Sequence, residues 1–493
     1  MRLLEALRAI ESEQLHSFYM PGHKKHPQFI KKLENLIHLD ITEIPKADHL
    51  HEPKGCILET QNLIASTYES GASRLLVNGS TVGLLSMIIG SLDEGDAVLI
   101  NRNAHKSVYN AITFAKLKPY YYLPEYDDYM GIVVDYDVER ICSILKENTH
   151  IKAVILTYPT YEGVCMALKR VIDFSHERNI LVLVDEAHGA HLKFNSEWPI
   201  SALDLGADIV VQSFHKTLPA LTQTACLHYG KHLTESMRGK QIIQQVDDCL
   251  KTFQTSSPSY VLMASVDAML DLMLEEGKLW SEELTSQIEW LYKETQDLKT
   301  IAFYHTKVKK DPSKLLLQIH PDFYEEGVWD GEVLSKCLRE MAHIQVEYET
   351  QTILLFMTSI CNDHSDFEAL ANALKTLDKL RIFELSSESI KSEARLKQSS
   401  KFNFVKLYEG LIKSEIQIYL PHEVKRKTYT EVMAEAAIGE ISADFITPYP
   451  PGIPILVPGE RITQGAVDLL KILLGAELKK IKILERSLEE SSR

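Results

Sequence analysis

Cysteine is scarce: seven residues in a chain of 493, scattered, with no CxxC pair and no clustered Cys/His set. An odd, sparse complement excludes a disulfide framework and a structural zinc site, and it fits a reducing compartment. Positive charge is not in surplus either. A formal net charge of −16 leaves no excess cation to displace counterions, which excludes a general nucleic-acid binder. Long apolar runs are missing too, since the longest, residues 84–92, is too short to cross a bilayer. The opening stretch MRLLEALRAIESEQ carries acids at Glu5 and Glu11 and no small-residue cleavage site, so it does not read as a signal peptide. These absences describe a cytoplasmic protein without membrane, nucleic-acid or metal partners, long enough for roughly two to four domains.

What is present is a βα alternation. Residues 1–18 read as a short amphipathic helix, followed by an irregular turn, MPGHKKHP, in which proline fixes and glycine frees the backbone. An arm of this kind packs on a neighbouring surface, another subunit's included. From about residue 57, apolar strands at 73–77, 97–100, 118–123, 152–157, 180–184 and 207–212 alternate with helices at 82–91, 106–116, 137–148 and 169–179. A further strand at 224–228 follows, then a helix over 258–276 that continues into a charged helix near 280–299. A second α/β block spans about 300–380, with strands at 314–319 and 352–357 around a helix at 332–342. Residues 383–402, rich in Ser, Glu and Lys, read as a linker or surface helix. The last block starts near 403 and contains the rigid stretch ITPYPPGIPI.

Chemistry-bearing residues gather at the ends of these strands. The apolar strand ILVLV runs straight into Asp185-Glu186-Ala187-His188-Gly189, and a buried acid there needs a partner to stay ionised. The next strand, ADIVVQ, runs into Ser213-Phe214-His215-Lys216-Thr217. Burial lowers the pKa of a lysine towards the free amine, the form that condenses with an aldehyde. Upstream, Asn78-Gly79-Ser80-Thr81 opens a helix whose free N–H groups suit an anion, and His105 stands where strand 97–100 ends. Carboxylate, lysine and Gly/Ser/Thr helix start at one sheet edge match the needs of pyridoxal 5′-phosphate (PLP). Lys216 would carry the aldehyde, Asp185 would face the pyridine nitrogen, and His105 would stack on the ring. Ser80, Thr81, Ser213 and His215 would hold the phosphate.

The segments MPGHKKH, NGSTVG, NRNAHKS, VDEAHGAH, SFHK and PYPPGIPILVPGE, in this order from residue 20 to 460, resemble the ornithine/lysine/arginine decarboxylases. The overall length resembles that family's shorter forms. The resemblance implies an α/β, aspartate-aminotransferase-like PLP fold (fold type I). Its mainly parallel sheet lies in a large domain, beside a smaller α/β domain and a C-terminal domain. The corresponding divisions are an arm over 1–56, a PLP-binding domain over 57–276, a linker helix and small domain over 277–382 and a decarboxylase-type domain over 403–493. It implies Lys216 and His188 as catalytic, with His188 near the substrate, and Asp185, His105, Ser80, Thr81, Ser213 and His215 around the cofactor. It also implies a homodimer or larger homo-oligomer with a partner-facing segment near 252–260, and a place in polyamine biosynthesis. After the lysine the chain reads TLPALTQ where some relatives are richer in glycine, which obscures the substrate pocket.

The expected reaction is therefore decarboxylation of lysine, arginine or ornithine to CO2 and a diamine or agmatine. Transaminases of this fold clamp the substrate carboxylate with an arginine on a small-domain strand, and the comparable stretch DPSKLL has none. Transamination, β/γ-elimination and a catalytically silent PLP-binding regulator are the competing readings. A basic side chain calls for a pocket acid, for which Glu440, Asp444 and Glu460 are the sequence candidates.

Overall fold

The computed structural model describes residues 3–34, 36–387, 404–409, 411, 417–449, 452–474 and 480–485. Its centre is a seven-stranded sheet in the order Ala72–Leu76, Ala225–Tyr229, Ile209–Gln212, Leu181–Asp185, Ile151–Thr157, Ala97–Asn101, Lys118–Tyr122. All neighbours are parallel except at Ala225–Tyr229, which runs antiparallel to both of its partners. Leu181–Asp185 and Ile209–Gln212 are buried at every residue, as expected of central strands covered on both faces. Alternate side chains divide between two cores: Val182, Val184 and Val210 with helices Val138–Glu147 and Leu168–His176, and Leu183, Ile209 and Val211 with Gly79–Ser91, Lys106–Phe114 and Met237–Phe253. At the edge where these two strands begin, buried Asp208 accepts the Val182 N–H at 2.6 Å and is bonded by His176 and His232.

A four-stranded antiparallel sheet, Ile301–Phe303, Lys314–Ile319, Ile353–Met357 and Tyr348–Glu349, follows the long connection and carries helices Gly331–Ala342 and His364–Ser387. The helix expected over 258–276 continues into the charged stretch as one 36-residue helix, Tyr260–Thr295. The buried stripe Met273, Trp280, Leu284, Ile288, Leu291 runs on beneath the charged surface residues near 275–283. A strand pair, Tyr429–Met433 with Lys480–Leu484, and the helix Gln464–Leu474 form a third core. The linker expected over 383–402 starts inside the helix ending at Ser387, and the rest of it lies outside the described residues. Among the described residues no helix is long and apolar enough to cross a membrane.

The amino-terminal helix stops at Ser12, and His16–Phe18 then pairs in parallel with Ile344–Val346. The arm thus packs on its own chain and ties the small-sheet region to the turn bearing Lys216. The N–H of Gly22 donates to the His215 carbonyl at 2.8 Å, and the Ser359 hydroxyl donates to the Gly22 carbonyl at 2.5 Å. A Cβ on Gly22 would stand 2.8 Å from backbone atoms of Thr217 and Leu218, so only glycine permits this approach.

Candidate active site

Asp185 pairs in register with Val211, so the acid and the lysine leave adjacent parallel strands at the same edge. Lys216 sits on the single helical turn Phe214–Thr217 that follows Gln212. Six residues singled out in the sequence, Ser80, His105, Asp185, His188, His215 and Lys216, line one cavity of about 290 Å³. Two others do not line it. Thr81 is exposed, turned away from Ser80 around the first helical turn. Ser213 is fully buried, and its hydroxyl has no partner among the described residues.

Burial sets the protonation states. Desolvation raises the Asp185 carboxyl, while the charge of Lys216 and the N–H of Ala187, 3.2 Å away, pull it back down. Desolvation lowers the Lys216 ammonium, against which Asp185 and Glu347 act. The Nζ of Lys216 stands 3.0 Å from His188 Nε2. Burial, then the charges of Lys216 and Lys314, hold His188 well below the usual imidazole range. Its Nδ1 is buried without a partner among the described residues, and the edge of Tyr161 meets its ring at 4.8 Å.

His105 is pushed down to about 4 by burial and by Lys216, and its Nδ1 accepts the Ser107 N–H at 3.2 Å. Its Nε2 faces Gly452, where a Cβ would come within 2.9 Å. His215, also lowered to about 4 chiefly by burial, donates Nδ1–H to the Thr224 carbonyl at 2.9 Å. Glu186 turns to the opposite side and is taken up by the Ala202 N–H and the Gln212 amide, both at 2.7 Å.

None of the three acids offered as pocket candidates lines the cavity. Glu460 is buried against Arg102 at 2.9 Å, which holds the segment around Ile453 in place through the carbonyls of Pro454 and Ile455. Asp444 pairs with Lys482 at 2.9 Å. The glutamate that does line the cavity is Glu162, beside Tyr161, Asn103 and Tyr449. It stands in the loop YPTYEG that follows strand Ile151–Thr157, and nothing in those six residue types says which side chain turns inward.

The strand compared with the transaminase arginine begins at Lys314. Its ammonium is fully buried, 2.9 Å from Asp311, which His191 also engages at 3.0 Å. No arginine lines the cavity among the described residues.

The family model described as Orn/Lys/Arg decarboxylase, major domain, matches residues 2–310, and that for the C-terminal domain matches residues 417–479. The chain belongs to the Orn/Lys/Arg decarboxylase family. By family it is a basic amino acid decarboxylase, a carboxy-lyase. It is 34% identical to the Bacillus subtilis protein YaaO over 99% of this chain and 97% of that one. It is 30% identical to the arginine decarboxylase of Bacillus subtilis, covering 95% and 92% of the two chains. The solved constitutive lysine decarboxylase of E. coli superposes with a TM-score of 0.70 at 20% identity, over 94% of this chain and 79% of that one. The fold is that of the fold type I PLP enzymes.

Proposed function

We propose that the chain decarboxylates arginine, lysine or ornithine with PLP carried on Lys216. The observation that carries this reading is that Asp185 and Lys216, from adjacent strand ends, line one cavity. The residues present fit the group. An amine and a carboxylate stand on its wall, uncharged His105 offers a ring face, and Ser80 lies in the first turn of a helix whose free N–H groups suit a phosphate. The orphaned Ser213 hydroxyl lies beside the lysine turn, and His215 adds a further polar wall. Thr81, being exposed, would contribute through its backbone N–H. When bound, the cofactor supplies a ring that takes up the electron pair left as CO2 departs.

The chain's own groups would do the rest. The Asp185 carboxylate keeps a positive charge on the heteroatom facing it. Lys216 and His188 at Nε2 would share a proton across 3.0 Å and return it to the substrate carbon. Lys314 is neutralised by Asp311, so the substrate carboxylate meets no cationic clamp from that strand, which favours its loss over transamination. Purified holoprotein given the three amino acids should release CO2 and amine. Keto acid without CO2, or visible absorbance no different from that of Lys216→Ala, counts against this reading.

The cytoplasm, polyamine synthesis and a homodimer or larger homo-oligomer complete the proposal. Phe253, 42% exposed at the head of segment 252–260, supports a subunit contact there. The division at 1–56, 57–276, 277–382 and 403–493 belongs to the same reading, and separate sheets support its last three parts. The arm shares a strand pair with the third part, and the boundary at 276 falls inside the helix Tyr260–Thr295.

A further inference from the structure

We propose that Glu162 receives the cationic end of the substrate side chain, at the entrance to a tyrosine-lined chamber opening off the reaction cavity. This rests on the decarboxylase reading above and names the residue that would make it specific for basic amino acids.

The turn after strand Ile151–Thr157 is tight. Thr160 N–H donates to the Val164 carbonyl at 3.0 Å, Val164 N–H to the Thr160 hydroxyl at 3.1 Å, and Gly163 N–H to the Thr160 carbonyl at 3.0 Å. Gly163 has a φ of +94°, and a Cβ there would strike Lys314 Cγ at 2.9 Å. This geometry fixes both side chains that precede the glycine. Tyr161 leans on His188 and donates its hydroxyl to Glu347 at 2.5 Å. Glu162, 7% exposed, lines the reaction cavity and also a second cavity of about 150 Å³. Asn103, Glu162 and Ile453 are the residues common to both linings, and Glu162 is the acid among them.

The second chamber is walled by Tyr126, Tyr348, Phe404 and Tyr408, with the rings of Tyr126 and Tyr408 stacked at 3.8 Å. Glu162 shares this lining with Tyr126, Tyr348 and Tyr408, and burial, then its charge, raise their phenols. Desolvation raises its carboxyl, opposed by the Thr160 hydroxyl and by Lys310. Lys310 donates to the Lys314 carbonyl and acts on Glu162 through its charge. Glu349, the other acid on the chamber wall, is exposed and held by the Ser335 hydroxyl at 3.2 Å. A buried carboxylate among aromatic faces is a receptor for an ammonium or a guanidinium, which offsets its desolvation and gains cation–π attraction. Ile453 at the passage suits the methylene stem of such a substrate.

The test uses holoenzyme variants with arginine and lysine as substrates. In Glu162→Gln, KM should rise about 100-fold or more, kcat should change far less, and the visible absorbance of the bound cofactor should persist. By calorimetry, agmatine and cadaverine, which lack the carboxylate, should lose affinity to a similar degree. Glu162→Asp, which keeps the charge, should recover much of both. Unchanged KM and amine affinity in Glu162→Gln overturn the assignment. If that variant does not fold, a folded Glu162→Ala enzyme with wild-type KM for both substrates overturns it too. A wild type that releases no CO2 from arginine, lysine or ornithine defeats the functional reading itself, whereas an active wild type matched by Glu162→Gln defeats only the role of Glu162.

Discussion

The Nζ of Lys216 and the Nε2 of His188 stand 3.0 Å apart, though the two residues follow different strands and 28 positions separate them. Burial disfavours the charged form of each, so the pair holds one mobile proton rather than two. His188→Asn should lower kcat by about 100-fold or more, the usual yield of a positioned proton donor or acceptor. The absorbance that depends on Lys216 should survive, since the amine itself is untouched. Because the histidine is held far below its ordinary range, its protonation should not limit the wild-type rate near neutral pH. A pH–rate profile of kcat/KM checks this: an acid limb near pH 6.5 that vanishes in His188→Asn would contradict it.

Asp185 is the charge opposite that lysine. Asp185→Asn preserves its shape and removes the charge, so kcat should fall by about 100-fold or more and the cofactor should be released more readily on dialysis. Full activity in the variant would show that the carboxylate does not face the ring.

Arg102 and Glu460 form an ion pair with side chains only 2% and 3% exposed. Removing one partner leaves an uncompensated buried charge, so Arg102→Met should cost about 3–5 kcal/mol in denaturant unfolding. The double change Arg102→Met with Glu460→Leu should cost less than the sum of the single changes. The single variant should also raise KM, because Arg102 grips the carbonyls of Pro454 and Ile455 next to the cavity-lining Ile453.

Gly452 has a φ of +84° and leaves 2.9 Å between a built Cβ and His105 Nε2. Gly452→Ala should lose about 1–2 kcal/mol to backbone strain alone. It should also displace His105, lowering kcat/KM more than Ala changes elsewhere in the carboxy-terminal region.

Asp48 caps the helix Cys56–Thr67 from outside it, accepting N–H groups of Gly55 at 2.8 Å and Ile57 at 3.0 Å. Desolvation raises its carboxyl, but backbone N–H bonds from Lys54, Gly55, His49 and Leu58 outweigh it and lower the carboxyl to about 2. A depressed folded-state pKa gives stability that is present above the unfolded value and lost as pH falls through the folded one. Asp48→Asn should therefore destabilise by roughly 1 kcal/mol at neutral pH, allowing for solvent screening. The difference from wild type should shrink between about pH 4 and pH 2.

Much of this was legible in the linear chain. Apolar runs such as ILVLV and IVVQ ending in an acid and a lysine placed Asp185 and Lys216 at strand ends, because only central strands tolerate such continuous burial. The long helix was legible too, because its surface charge does not interrupt its buried stripe. Glu460 was offered as a pocket acid because its partner, Arg102, lies far away along the chain.

The sequence by itself determined the alternation of strands and helices, the order of the motifs and the chemistry available at each strand end, since these follow from local residue pattern. Only the tertiary structure decided which acid reaches the cavity, which one is consumed by an arginine, and that the arm straps its own chain. Those outcomes depend on contacts between segments hundreds of residues apart, and burial, which sets the charge of each group, exists only once these segments have packed.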